Sequence, residues 1–135
     1  MGVMVDSCVL LDIFTEDDRW GRWSAGAVAG AVDRGELIVN PVIYAEVSIG
    51  FDRIEDLESA LPADVFEYRP IPREAAFLAG KCFLKYRRRG GVRTSPLPDF
   101  FIGAHALIAG LDLITRDAKR FKNYFPTLKL IAPES

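Results

Sequence analysis

Four acidic residues, Asp6, Glu46, Asp99 and Asp117, stand where a carboxylate can do chemistry. Asp6 follows the apolar run Val3-Met4-Val5 directly, and Asp117 closes Leu113-Ile114-Thr115-Arg116. Asp99 comes after Leu97-Pro98 at the head of an apolar stretch. Glu46 lies inside Pro41-Val42-Ile43-Tyr44-Ala45-Glu46-Val47, where helical spacing groups it with Val42 and Ile49 at the border of an apolar face. Each has a plain structural alternative. Asp6, Asp99 and Asp117 could cap helices, since Asp is favoured at helix starts, and Glu46 could be satisfied by water. Caps do not account for Glu46, however, and apart from Arg116 no equivalent supply of bases accompanies the acids in these segments. Two carboxylates about 4 Å apart repel by roughly 4 kcal/mol in an effective dielectric of about 20. Several in one cleft raise each other's pKa values. A divalent cation reverses this and makes an acidic pocket accept phosphate.

The elements that must position these acids follow from the pattern of apolar residues and breakers. Val3-Met4-Val5 reads as a buried strand, and Asp6-Ser7 starts a helix over Cys8 to Phe14. A second helix runs from Trp20 to about Arg34 and stops at Gly35; Glu36 to Val39 is a strand; Asn40-Pro41 opens the helix that carries Glu46. Ile54 to Leu61 is helical, Val65 to Tyr68 alternates as a strand does, and Pro72 to Arg89 spaces its apolar residues as a long helix closed by Gly90-Gly91. A loop with Pro96 and Pro98 precedes a helix from Asp99 to about Ala109, and Leu111 to Thr115 and Leu128 to Ile131 are the last strands. Strands alternating with helices predict an α/β fold, a central mainly parallel sheet flanked by helices on both faces, as a single domain over residues 1–135. In such sheets ligands bind beyond the carboxyl ends of the strands, where Asp6 and Asp117 fall.

Composition narrows the function. A chain of 135 residues that is 50% hydrophobic and 27% charged can build a core. Seventeen basic residues against nineteen acidic ones, a formal charge of −2, exclude a broad basic surface for nucleic acid, though not a local patch. The two cysteines, Cys8 and Cys82, are too few for a disulfide scaffold and too isolated for zinc, and read as reduced thiols. The amino end meets a carboxylate at Asp6 without a basic segment or long apolar run, so no leader is expected. The longest apolar region, Phe100 to Ile114, is interrupted by His105 and Asp112 and is shorter than the roughly 20 residues of a membrane helix. A cytoplasmic protein with no membrane contact is the expectation.

Four segments together resemble a known family. Val5-Asp6-Ser7, Pro41-Val42-Ile43-Tyr44-Ala45-Glu46, Pro98-Asp99-Phe100-Phe101-Ile102-Gly103-Ala104-His105-Ala106 and Leu113-Ile114-Thr115-Arg116-Asp117 are similar to the PIN-domain ribonucleases, in particular the VapC-type toxins of toxin–antitoxin pairs. The likeness spans essentially the whole chain. It implies a PIN-like fold, divalent-metal-dependent cleavage of RNA, and catalytic acids at Asp6, Glu46, Asp99 and Asp117, with hydroxyl positions at Ser7 and Thr115. It also implies an antitoxin protein as partner, and a homodimer. Cys8 departs from the pattern, since many members carry Asn or Ser there; a thiol is a weak hydrogen-bond partner for Asp6.

Hard cations prefer oxygen ligands, so Mg²⁺ or Mn²⁺ suits this set and zinc does not. Asp6 and Asp99 are the first candidates for direct metal contact, with Asp117 direct or through water. Glu46 is the candidate for orienting or deprotonating the attacking water. Ser7 and Thr115 would hold carboxylates by hydrogen bonds. Arg87-Arg88-Arg89 is the dense basic run: a solvated helix end favoured by the dipole, or a contact to RNA or partner. Arg116 has the same pair of readings, phosphate or partner carboxylate against a structural ion pair. Trp20 and Trp23 flank the acidic turn Glu16-Asp17-Asp18 and read either as core or as anchors for a partner peptide. His105 reads as a packing or surface residue.

Among the alternatives, a non-catalytic PIN-like protein- or RNA-binding module would keep the fold without needing four mutually repelling acids. A phosphoacceptor receiver domain would need adjacent acids after its first strand and a Lys after a late one. The sequence has Asp6-Ser7-Cys8 and Thr115-Arg116-Asp117 instead. Phosphatases with paired aspartates are excluded likewise by Cys8.

Overall fold

Val3–Val5 (β1) and Leu37–Val39 (β2) are buried at every residue. Successive strand side chains point to opposite faces, so three buried in a row require cover on both sides of the sheet. A computed structural model of the chain, which describes residues 2–90 and 97–134, provides that cover with helices. After β1 come α1 (Ser7–Phe14) and α2 (Gly21–Val32); after β2 come α3 (Pro41–Ser48), α4 (Ile54–Ala60), β3 (Phe66–Tyr68) and α5 (Arg73–Arg88). The chain continues through α6 (Leu97–Ala109), β4 (Asp112–Ile114), α7 (Lys119–Lys122) and β5 (Leu130–Ile131).

The five strands lie in the order β3-β2-β1-β4-β5, and each neighbouring pair is parallel. The α/β expectation holds, with a sheet that is parallel throughout the described residues. From β1 the chain adds strands first on one side and then on the other, so the junction of β1 and β4 is the topological switch point, where α/β sheets leave a crevice. The register there pairs Val3 with Asp112, Met4 with Leu113 and Val5 with Ile114, which brings Asp6 beside Thr115. The Asp6 N–H donates to the Ile114 carbonyl at 2.9 Å and carries the pairing one residue past the strand.

Two contacts fix the helices that bring the other acids. Asn40 caps α3 by accepting from the Ile43 N–H at 2.9 Å, and its Nδ2 lies 3.1 Å from Nδ1 of His105 on α6. Both side chains are buried, so the start of α3 and the middle of α6 are held together. Phe100, next to Asp99, is buried among Tyr86, Tyr124 and Phe125, its ring centroid 4.9 Å from that of Tyr124. Gly103 lets Phe125 lie against α6, because a β-carbon there would overlap the ring.

One boundary differs from expectation in a way that bears on the site. α6 begins at Leu97, so Pro98 and Asp99 belong to its first turn and not to a loop and a cap. Proline is tolerated there because the first-turn N–H groups have no intrahelical partner to lose. The loop expected around Pro96, and Gly91 of the expected Gly90-Gly91 stop, lie outside the described residues. Gly90 adopts a left-handed φ of 79° just past α5, a conformation suited to glycine. Among the described residues, no helix is long and apolar enough to cross a membrane.

Candidate active site

Asp6 sits at the N-cap position of α1, yet its side chain makes no capping bond. Its Oδ2 instead accepts from the Thr115 hydroxyl at 2.8 Å and from the Cys8 thiol at 3.3 Å. The same Thr115 oxygen accepts the Asp117 N–H at 3.1 Å, so one buried hydroxyl aligns two of the four acids. Asp6 is 1% exposed, and burial pushes its pKa up; the bonds from Thr115, Cys8 and the Ser7 backbone, with the charge of Arg120, pull the other way. Burial and the Asp6 charge push the Cys8 thiol up to about 12, which keeps it protonated and able to donate. Cys8 therefore supports Asp6 in the place where Asn or Ser was expected.

Glu46 is half-buried on α3, and its Oε1 accepts from the Ser7 hydroxyl at 2.7 Å. Ser7 begins α1, so this bond ties the helix after β1 to the helix after β2. Asp99, in the first turn of α6, keeps only 15% of its side chain exposed. Its pKa is pushed up to about 6, chiefly by burial; Arg120 opposes the rise, and the charges of Asp6, Glu46 and Asp117 add to it. Asp99 thus lies within electrostatic reach of all three other acids. The structure brings Asp6, Glu46, Asp99 and Asp117 together at the carboxyl end of the sheet, beside the β1–β4 switch point.

A basic group that the sequence reading passed over stands among them. Arg120 on α7 forms an ion pair with Asp117, its Nε 2.8 Å from Oδ2, and its Nη1 lies 3.6 Å from Asp99 Oδ1, a looser pair. Its spacing of three residues from Asp117 was the available signal; its approach to Asp99 depends on how α7 packs on α6. As the side chains lie, no three His, Cys, Asp or Glu among the described residues are grouped closely enough to hold an ion. Arg120 pairs with both Asp117 and Asp99, and Ser7 holds Glu46. The donor set nevertheless fits a hard cation: the oxygens of four carboxylates, a protonated Cys8, and His105 occupied by Asn40.

The remaining candidates fall elsewhere. Arg116 donates from Nε to Asp12 Oδ2 at 2.7 Å, and Asp12, 3% exposed, also accepts from the Ser24 hydroxyl at 3.0 Å. This knot joins α1, α2 and the segment after β4; its buried acid and Ser24 were not foreseen, because each is unremarkable in isolation. The guanidinium of Arg116 lies 5.8 Å from the centre of the half-buried Trp20 ring, and that of Arg19 lies 5.1 Å from it. Trp23 is half-buried against the core. Arg87, Arg88 and Arg89 are exposed at the end of α5, with Arg87 over Phe83 and Arg89 over Tyr124.

A family model described as "PIN domain" matches residues 3–124. Among solved structures, the chain is similar to VapBC2 from Rickettsia felis bound to a promoter DNA fragment, at 17% identity and a TM-score of 0.75, covering 99% of this chain and 100% of that one. A toxin–antitoxin complex from Klebsiella pneumoniae matches at 21% identity and a TM-score of 0.71, covering 98% of each chain. VapBC-1 from nontypeable Haemophilus influenzae matches at 18% identity and a TM-score of 0.73, again covering 98% of each. At these identities the structural likeness shows the fold. No curated protein matches the sequence.

Proposed function

The chain belongs to the PIN-domain family, and from that premise we propose that it is a divalent-metal-dependent endoribonuclease, the toxin of a VapBC-type toxin–antitoxin pair. The observation that carries the reading is the surrounding of Asp99: three further carboxylates close enough to raise its pKa, with Arg120 the cation that opposes the rise. Such an excess of negative charge suits a doubly charged ion and, through it, a phosphodiester. Bound Mg²⁺ or Mn²⁺ would supply Lewis-acid charge to the scissile phosphate and acidify the attacking water.

Asp6 and Asp99 would hold the ion, with Asp117 direct or through water. Thr115 and Cys8 fix the Asp6 carboxylate, and Thr115 also fixes the Asp117 backbone. Ser7 holds Glu46 by Oε1, which leaves Oε2 to orient the water and take its proton. Arg87, Arg88 and Arg89 form the exposed basic run for RNA or a partner, whereas Arg116 is committed to Asp12. The likeness to complexes named as VapBC and toxin–antitoxin assemblies supports an antitoxin as partner; a homodimer belongs to the same proposal.

Cleavage of RNA by the purified protein in Mn²⁺, with a chelator control, tests the activity. Cleavage is expected to require the metal and to be abolished in Asp6→Asn and Asp99→Asn. A folded protein that cuts no RNA in Mn²⁺ would favour the non-catalytic binding module.

A further inference from the structure

Arg120 is half-exposed on a short helix, and its guanidinium reaches two acids unequally: a close ion pair with Asp117 at 2.8 Å and a looser one with Asp99 at 3.6 Å. No other basic side chain among the described residues forms an ion pair with Asp6, Glu46, Asp99 or Asp117. A cation cannot be gathered by Asp99 together with its neighbours while that guanidinium lies between them. We infer that Arg120 is the resident counter-ion of the cleft: it neutralises Asp117 and Asp99 in the metal-free protein, yields their charge to a divalent cation, and then turns its guanidinium to a phosphate of the bound RNA.

The inference rests on the divalent-cation reading above. Both halves follow from the chemistry of the side chain. An arginine stays charged at any pH the protein meets, so only another cation can displace it from the acids. Its planar fork fits phosphate as well as carboxylate, and a half-exposed arm is free to swing. Because the contact exists only without metal, its loss weakens the metal-free state alone. Linkage then requires the ion to bind more tightly by the same factor.

Thermal unfolding under Mn²⁺ titration of the wild type, Arg120→Gln and Arg120→Lys tests the displacement. Arg120→Gln is expected to melt at a lower temperature without metal and at the wild-type temperature in saturating Mn²⁺. Its half-saturating Mn²⁺ concentration should fall about fivefold, the scale of an exposed charge pair. Arg120→Lys, which keeps the charge but not the fork, should fall between the two. In saturating Mn²⁺ the KM for RNA should rise several-fold in Arg120→Gln with little change in kcat. An unchanged or weaker Mn²⁺ affinity in Arg120→Gln overturns the inference while the metal reading stands. An unchanged KM overturns the phosphate contact. Absence of any Mn²⁺ effect on the wild type refutes the metal reading itself and removes the basis of the inference.

Discussion

Arg116 and Arg120 come from one stretch of chain after β4 and meet aspartates in opposite ways. Arg116 bonds at 2.7 Å to an Asp12 side chain that is 4% exposed, and Ser24 completes that acid's partners. Arg120, itself half-exposed, spreads between Asp117 and Asp99, at 2.8 Å from the first and 3.6 Å from the second, by charge alone. The first arrangement gives one buried acid its own cation and a second donor on the same oxygen. The second leaves several acids sharing one cation. A closed pair of this kind is costly to break, because losing one partner leaves the other's charge buried and unpaired; an under-neutralised cluster is suited to a ligand that brings the missing charge.

The difference can be broken from either side. Arg116→Ala strands Asp12 as a buried acid with one remaining donor, and unfolding by denaturant should register a loss of about 3 kcal/mol. The Mn²⁺-dependent rise in melting temperature should survive in that variant, because Asp12 takes no part in the cleft. If Arg116→Ala also lost its metal response, the two regions would not be separate.

Thr115→Val acts on the cleft without touching a carboxylate. It removes the hydroxyl that donates to Asp6 and accepts from Asp117, at a cost of about 1–2 kcal/mol in stability. Mn²⁺ affinity should fall at least about tenfold, as is usual when a group that orients a metal-binding side chain is lost. Titration calorimetry reads the affinity directly; an unaltered value would mean that Asp6 needs no such support.

A smaller effect, in pH, sharpens the contrast. Asp99 has its pKa raised from the ordinary 3.8 to about 6, first by burial. Between those values the native chain binds a proton that the unfolded chain has lost, so this group's contribution to stability is full below 3.8 and is lost as pH rises through about 6. A cation needs the ionised form, so its binding should strengthen over the same window. Metal-free melting curves should therefore fall, and the Mn²⁺-induced rise grow, as pH increases through that range. A metal-induced rise independent of pH there would take Asp99 out of the ion's contacts.

How much of this was legible in the sequence depends on how local each feature is. The alternation of strands and helices shows itself in short windows, and the structure bears out the α/β reading, with a sheet parallel throughout the described residues. Asp6 and Asp117 could be placed because they follow two strands, β1 and β4, that the register then sets side by side. The start of α6 was misplaced, because proline in a first turn looks the same in sequence as proline in a loop. The pairing of Asn40 with His105, across 65 residues, has no local signature. Arg120 stayed hidden for a related reason: its spacing from Asp117 suggests a helical pair, whereas its meeting with Asp99 depends on tertiary packing.

The central claim is that the four-acid cleft takes a divalent cation, and it is tested most directly by calorimetric titration of Mn²⁺ into the chelator-treated wild type and Asp99→Asn. The account predicts saturable binding by the wild type, and its loss in the variant without loss of fold. Equal binding by the two proteins, or none by the wild type, would contradict it.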